Sequence, residues 1–526
     1  MFQLLLTRRY LTSKIMPLVA AGAVGLCTLL VLVTWSVMGG FLETLLGSGR
    51  TFVGDVKISW PTVGFAHYDD LCKRLRADPK VAGATPLIET FGLIGFDDTR
   101  MDYVNILAID PATYGQVADY ESALWWKPLD SPLRKDRERQ DPRLDSRERQ
   151  ILTRAYEDGK ALAERDPATG EMQPAICLGI EVSRMSERRP EGYYIPRLAG
   201  QGTPEGRVVD QRQFAPLASV NISMLPLDKN GRSIDMASRR FRVANEFRTG
   251  IYEIDRRTVF LPLDVVQRML KMDAAERIDA ARIDTLDFGR SGPGAPPGRE
   301  SFSDPVVTGV DPARVTAVWV RAAPGVAPDV LRARCAEIYE RFAADHRGDV
   351  PSMDLIRLNP HLIATWEQTN AVLVGAVKKE TVTVLMLLII ISLVASALIL
   401  AIFWAMVAEK TRDIGVLRAI GAGGSGVAGV WILYGLVIGV IGAFFGGIGA
   451  TLIVRNVNEI HEWLGRTTGV QVWDPRVYYF SDIPSRIDPA HAALVLTMAV
   501  AFSVLGALVP AIRAARMDPV KALRFE

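Results

Sequence analysis

The chain has 526 residues, of which 49% are hydrophobic and 23% charged, with a formal net charge of +2 and a mean hydropathy of +0.15. A nearly balanced charge excludes the broad basic field of a nucleic-acid binder. Positive hydropathy beside ordinary charge content points to apolar blocks joined to a normally charged domain. The four cysteines, Cys27, Cys72, Cys177 and Cys335, are widely spaced and form no CxxC pair. A Cys72–Cys177 bridge is an option that spacing alone leaves open.

Residues 1–14 carry Arg8, Arg9 and Lys14 and read as a cytoplasmic N-terminus. Residues 15–45 form the first expected membrane helix, because Ile15 to Leu42 holds no charge and exceeds the roughly 20 residues that cross a bilayer. Residues 46–377 then form a large domain. Thr51–Trp60 predicts a strand, Tyr68–Ala77 a helix, and Val81–Phe96 and Tyr103–Ile109 further strands. Thr258–Pro262 predicts a strand leading into a helix from Asp264, and Arg314–Arg321 alternates as a strand does. Pro328–Phe342 sets Val330, Leu331, Cys335, Ile338, Tyr339 and Phe342 on one helical face. Two stretches break this pattern: a charged insertion at 127–165, read as solvated, and a Gly/Pro loop at 290–299. The fold class is therefore a four-helix membrane protein with a large α+β extracytoplasmic domain between helices 1 and 2.

Residues 378–408 predict the second membrane helix, 425–455 the third and 490–512 the fourth. Segment 409–424 is a short cytoplasmic helix, 456–489 an outer loop and 513–526 a basic cytoplasmic tail. Four crossings put both basic termini on the same inner side. In the third helix, Gly435/Gly439 and Gly442/Gly446 have the spacing that lets helices approach closely. The chain lacks a phosphate-cradling G-x-x-x-x-G-K-[ST] loop, a G-x-S-x-G elbow and an H-E-x-x-H pair. The five histidines match no metal-ligand spacing, and the apolar runs carry no central charge of the kind that marks an ion pathway. No catalytic, cofactor or metal residue is expected, so energy for any work would come from outside the chain.

The segment Glu409–Ala422, EKTRDIGVLRAIGA, resembles the "EKTREIGILRALGA" segment of the FtsX/MacB/LolC–LolE class of ABC permeases. Ala507–Glu526, ALVPAIRAARMDPVKALRFE, is similar to the tail of that class, and the order of helices matches. Met38–Phe41, Phe247–Asp255 (FRTGIYEID), Thr365–Trp366 with Lys379–Glu380, and Val477–Pro484 resemble segments of its lipoprotein-releasing LolC/LolE branch. The resemblance implies an inner-membrane permease with a MacB-like periplasmic core domain. It also implies a separate LolD/MacB-like ATPase that holds ATP and magnesium, and a second permease copy or paralogue. Lipoprotein would be the substrate, membrane lipid would surround it, and a periplasmic carrier would be a further partner; nucleic acid has no part. Mechanotransmission would couple ATP use in the partner to lipoprotein extraction. The expected coupling residues are Lys410, Arg412, Asp413, Ile414, Leu417 and Arg418, with Ile414, Leu417 and Ile420 as an apolar ridge. The expected substrate pocket is lined by Val24, Leu29, Leu32 and Met38 on helix one and Leu387, Ile391 and Ile399 on helix two. A MacB-like efflux permease and an FtsX-like regulator of a cell-wall hydrolase are the alternatives within the class. The inserted stretches 127–165 and 290–299 depart from its pattern.

Overall fold

The computed structural model describes residues 16–96, 101–132, 146–166, 169–188, 194–202, 208–227, 232–278, 307–352, 354–355, 359–468, 483–518, 520 and 522. The chain divides into two compact units. One comprises Met1–Leu45 with Val372–Glu526, and the other Leu46–Ala371.

In the first unit, four helices among the described residues are long and apolar enough to cross a membrane: Pro17–Phe41, Val374–Glu409, Gly424–Arg455 and Pro489–Ala515. In lipid every backbone group must be satisfied within the segment, which long helices achieve. Between such helices, close packing takes over the organising role that water exclusion plays elsewhere. The third helix shows how. A methyl group on Gly435 would lie 2.7 Å from the Ala507 Cβ, and one on Gly439 would lie 2.9 Å from that of Ser503, both on the fourth helix. A methyl on Gly442 would reach 2.6 Å from the Val24 Cβ of the first helix, and one on Gly446 would collide with the Gly25 carbonyl. The two small-residue pairs thus seat two different neighbours. The buried Ser503 hydroxyl donates to the Gly435 carbonyl at 2.9 Å, closing one contact with a hydrogen bond. Residues 456–489, expected as a loop, contain the helix Val457–Thr468.

The second unit is α+β. Its main strands are β1 (Val56–Ser59), β2 (Val81–Gly95), β3 (Met101–Ile109), β4 (Met172–Gly179), β5 (Ser219–Met224), β6 (Ala237–Phe247), β7 (Thr258–Pro262), β8 (Ala317–Ala322) and β9 (Ile363–Thr365). They run in the order β5-β6-β4-β7-β3-β2-β8-β1-β9. β5 also pairs with the end of β2, through Leu93–Gly95 and Asn221–Ser223, so six strands close into a ring. Closure removes the exposed edge a sheet otherwise presents. Alternate residues fill one core, including Ile88, Ile106, Leu178, Ile222, Val243 and Leu261. The opposite faces build a second core around Leu87, Ile109, Cys177, Phe247, Phe260 and Trp319. Helix Pro328–Asp345 buries Leu331, Cys335, Ile338, Tyr339 and Phe342, whereas Val330 stays exposed.

Two expectations change. The strand expected over Thr51–Trp60 shortens to Val56–Ser59, because the first helix continues to Val53 and stops at Gly54, whose φ of +75° favours glycine. The charged insertion is a packed element in its second half. Ser146–Ala161 is a helix that buries Leu152 and Ala155 against Trp126 and Phe214, with Arg154–Glu164 (2.7 Å) and Arg212–Glu148 (2.9 Å) pairing around it. Residues 133–145 and the Gly/Pro loop 290–299 lie outside the described residues. All four cysteines are free thiols, and Cys72 and Cys177 belong to separate cores.

The FRTGIYEID segment has a structural task. Asp255 is buried, and its carboxylate accepts from the Thr249 backbone N–H and hydroxyl, both at 2.7 Å, and from the Gly250 N–H at 3.1 Å. Just before it, a register shift in β6 between Val243 and Asn245 precedes a buried polar pair. Asn245 donates to the Trp126 and Ala155 carbonyls, and Glu246 accepts from the Trp126 indole at 2.8 Å and from the Ser183 and Ser186 hydroxyls. Burial pushes the Glu246 carboxyl up to about 7, against the lowering effect of those three donors.

The glycine packing predicts a sharp positional contrast. Gly446→Val should lower the thermal stability of the detergent-solubilised protein by about 1–3 kcal/mol or prevent its recovery. Gly22→Ala, where nothing stands within 4 Å, should leave the melting curve unchanged.

Candidate functional site

The membrane unit holds two features of interest, one at the junction of its second and third helices and one between its first, second and fourth. At the junction, Thr411–Ala419 is a helix. The Thr411 hydroxyl donates to the Ala408 carbonyl at 2.7 Å, tying its start to the end of the second helix. Its end is a Schellman turn: the Ala422 N–H donates to the Leu417 carbonyl (3.0 Å) and the Gly421 N–H to that of Arg418 (3.2 Å). Gly421 takes a φ of +104°, a left-handed backbone that a side chain would disfavour.

The apolar ridge expected from the sequence splits in two. Ile414 is only 2% exposed and lies in one core with Phe403, Trp431 and Ala511, one from each of the neighbouring long helices. Leu417 and Arg418 are half-buried. Ile414 therefore fastens the short helix to its own bundle and presents no surface to a partner. Outward-facing residues are Arg412, Asp413, Val416 (43% exposed) and Ile420 (82% exposed). Lys410 bridges to Asp413 at 2.9 Å. Helical spacing located this helix but could not tell which side of it the bundle occupies. At the same end of the unit, the Arg513 guanidinium sits 4.0 Å from the centre of the Trp404 ring.

The second feature is a cavity of about 220 Å³. Helix one contributes Val24, Cys27, Thr28, Val31 and Trp35, helix two Leu385, Ile389, Ser392, Ser396 and Ile399, and helix four Leu494, Met498 and Phe502 among others. The walls are mainly aliphatic, with Thr28, Ser392 and Ser396 as a short hydroxyl strip. Of the residues expected to line a pocket, Val24 and Ile399 do so. Leu29 instead faces Gly449 of the third helix, where an added methyl would come within 2.8 Å of its Cδ1. Leu32 is buried, Met38 is half-buried, and neither lines the cavity; Leu387 and Ile391 are exposed and do not line it either. The sequence reading missed the fourth helix altogether, since nothing in an apolar run says which neighbour it will meet. The hydroxyl residues Thr28, Ser392 and Ser396 were the available signal.

Two of the segments singled out by motif also meet near this cavity. A methyl on Gly40 would lie 2.9 Å from the Pro484 carbonyl, the Ser485 Cα and the Arg486 nitrogen, and the Arg486 N–H donates to the Ser36 carbonyl at 3.1 Å. Gly40 thus admits the stretch before the fourth helix against the end of the first. Trp35 of the cavity wall lies beside His491, with ring centres 5.2 Å apart and the planes tilted by 36°.

Residues 385–519 match the FtsX-like permease C-terminal family, a stretch that takes in most of the second membrane helix, the third and fourth, and the short helix Thr411–Ala419. The chain is also similar to the lipoprotein-releasing system transmembrane protein LolC of Xylella fastidiosa (strain Temecula1), 35% identical over 184 residues, or 35% of this chain and 44% of that protein. LolC of Neisseria meningitidis serogroup B is 27% identical over 164 residues, 31% of this chain and 40% of its own. LolE of Haemophilus influenzae is 28% identical over 130 residues, 25% and 30% respectively. The matches span less than half the length of these relatives. Together they support the resemblance to an FtsX/Lol-type permease drawn from the residues.

The split ridge yields a direct contrast. Ile414→Asp should destabilise the membrane unit, because it removes about 1.5–3 kcal/mol of burial and forces a carboxylate into an apolar core. Ile420→Asp should leave the melting temperature of the solubilised protein where it was, since that side chain is already exposed.

Proposed function

We propose that this chain is the permease subunit of an ABC transporter that releases lipoproteins from the inner membrane, driven by a separate ATPase. What carries the reading is the FtsX-like match over residues 385–519, the stretch that also supplies the short helix between membrane segments and part of the cavity wall. Similarity to lipoprotein-releasing LolC and LolE proteins supports the substrate class. The basic residues Lys410, Arg412, Arg418, Arg513 and Arg516 collect at one end of the unit, which favours a cytoplasmic location for that end and for the C-terminus. The inserted domain then lies on the extracytoplasmic side.

In this reading the ATPase, which holds ATP and magnesium, binds the exposed face of Thr411–Ala419 through Arg412, Asp413, Val416 and Ile420. Closure of the ATPase moves the short helix. Ile414 carries that motion into helices two, three and four, because it shares one buried core with residues of all three. The cavity between helices one, two and four takes the acyl chains of the lipoprotein, for which an aliphatic wall with few polar groups is chemically suited. A second permease copy or paralogue completes the complex, and a periplasmic carrier receives the product.

Site-specific photocrosslinking tests the cavity assignment. A photoreactive residue at Val24, Ile399 or Met498 should label lipoprotein in membranes far more strongly than one at Phe444, which is exposed on the third helix. Equal labelling from all four positions would remove the cavity as the substrate site.

A further inference from the structure

The helix Val457–Thr468 turns one polar side chain inward and leaves two large apolar ones on its outer side. Its polar Asn458 faces the protein: the side chain accepts from the Ile483 N–H at 2.8 Å and donates to the Ile483 carbonyl at 3.3 Å. His461 and Glu462 are partly covered as well. Two of its apolar residues, Ile460 and Trp463, point away from the protein, while Val457 and Leu464 are half-buried. Trp463 is 63% exposed and Ile460, one turn earlier, is 43% exposed. A helix surrounded by water places these groups the other way round. The exposed side is therefore suited to a medium other than water.

Chain continuity says which medium. The third membrane helix ends at Arg455, and Val457 begins the next helix after one intervening residue, Asn456. The short helix must then start at the membrane surface, on the face opposite the Thr411–Ala419 segment. The Ser485 hydroxyl donates to the Val454 carbonyl at 3.2 Å, which together with the Asn458–Ile483 pair holds this corner closed. Tryptophan beside an aliphatic residue on one helical face, at that depth, fits the boundary between headgroups and acyl chains.

We infer that Val457–Thr468 is an interfacial anchor whose Ile460–Trp463 face binds the phospholipid bilayer. The bonds through Ile483 and Ser485, and the contact of Pro484 to Arg486 with Ser36 and Gly40, tie this anchor to the end of the first helix. The anchor thereby fixes the depth of the part of the first membrane span that bears Trp35.

Spin-label accessibility on the full chain tests the inference. Cys27 is replaced by Ser. Cys72, Cys177 and Cys335 stay in place, since each is buried and burial pushes their thiols up to about 12, which keeps them unreactive during brief labelling. Single labels go on Ile460→Cys, Trp463→Cys and, on another side of the helix, the exposed Thr468→Cys, in nanodiscs of phosphatidylethanolamine and phosphatidylglycerol. The ratio of oxygen to nickel-chelate accessibility should be several-fold higher at 460 and 463 than at 468. Water-like ratios at all three positions would overturn the inference, and so would shielding of 460 and 463 from both reagents, which marks a protein cover. Unlabelled protein gives a second measurement. Brominated phospholipid should quench a fraction of the tryptophan emission that is lost in Trp463→Phe; an unchanged quenchable fraction would also overturn it.

Discussion

The membrane unit depends on backbone contact at the third helix. Where Gly435, Gly439, Gly442 and Gly446 lack side chains, the first and fourth helices come close enough for Val24, Gly25, Ser503 and Ala507 to touch its main chain. Lipid tails are as apolar as leucine, so burial alone gives these helices little reason to associate. Intimate packing supplies the attraction instead. Because the third helix grips one neighbour near each end of its glycine run, it sets the separation of helices one and four. That separation, with the second helix closing one side, is the cavity.

The same core extends to the short helix after the second membrane segment. Ile414 belongs to one core with Phe403, Trp431 and Ala511, so the short helix is anchored in the same packing as the long ones. Packed interiors deform little and transmit displacement. A partner pressing on Val416 and Ile420 would act on the bundle as a whole. The inserted domain follows different physics: a closed ring of strands with a core on each face and buried carboxylates, Glu246 and Asp255, held by several donors each. The residues of FRTGIYEID are accounted for by that local scaffolding.

Much of this was legible in the sequence, for reasons that differ by element. Uncharged runs located the four long helices because hydropathy over some twenty residues is a strong signal. Strands such as Val81–Gly95 and Thr258–Pro262 showed in their β-branched and apolar content. The glycine spacing of the third helix announced close contact but not its partners. What a linear pattern cannot carry is the side from which a neighbour arrives. Ile414, Leu417 and Ile420 share one period, yet the bundle covers the first and leaves the last exposed. Leu387 and Ile391 share their run with Ile399, and only Ile399 turns inward. The fourth helix's share in the cavity was invisible for the same reason, as was the outward turn of Ile460 and Trp463.

The account ties an acyl-chain cavity to a surface on which an ATPase acts, and release of bound substrate tests both at once. The measurement is the amount of lipoprotein that stays with the affinity-purified permease–ATPase complex before and after addition of ATP and magnesium. The account predicts that lipoprotein copurifies and leaves on ATP addition, and that a Val416→Asp, Ile420→Asp double variant retains its lipoprotein without releasing it. An intact complex that carries no lipoprotein in either state, or a double variant that releases it at the unaltered rate, would contradict the account.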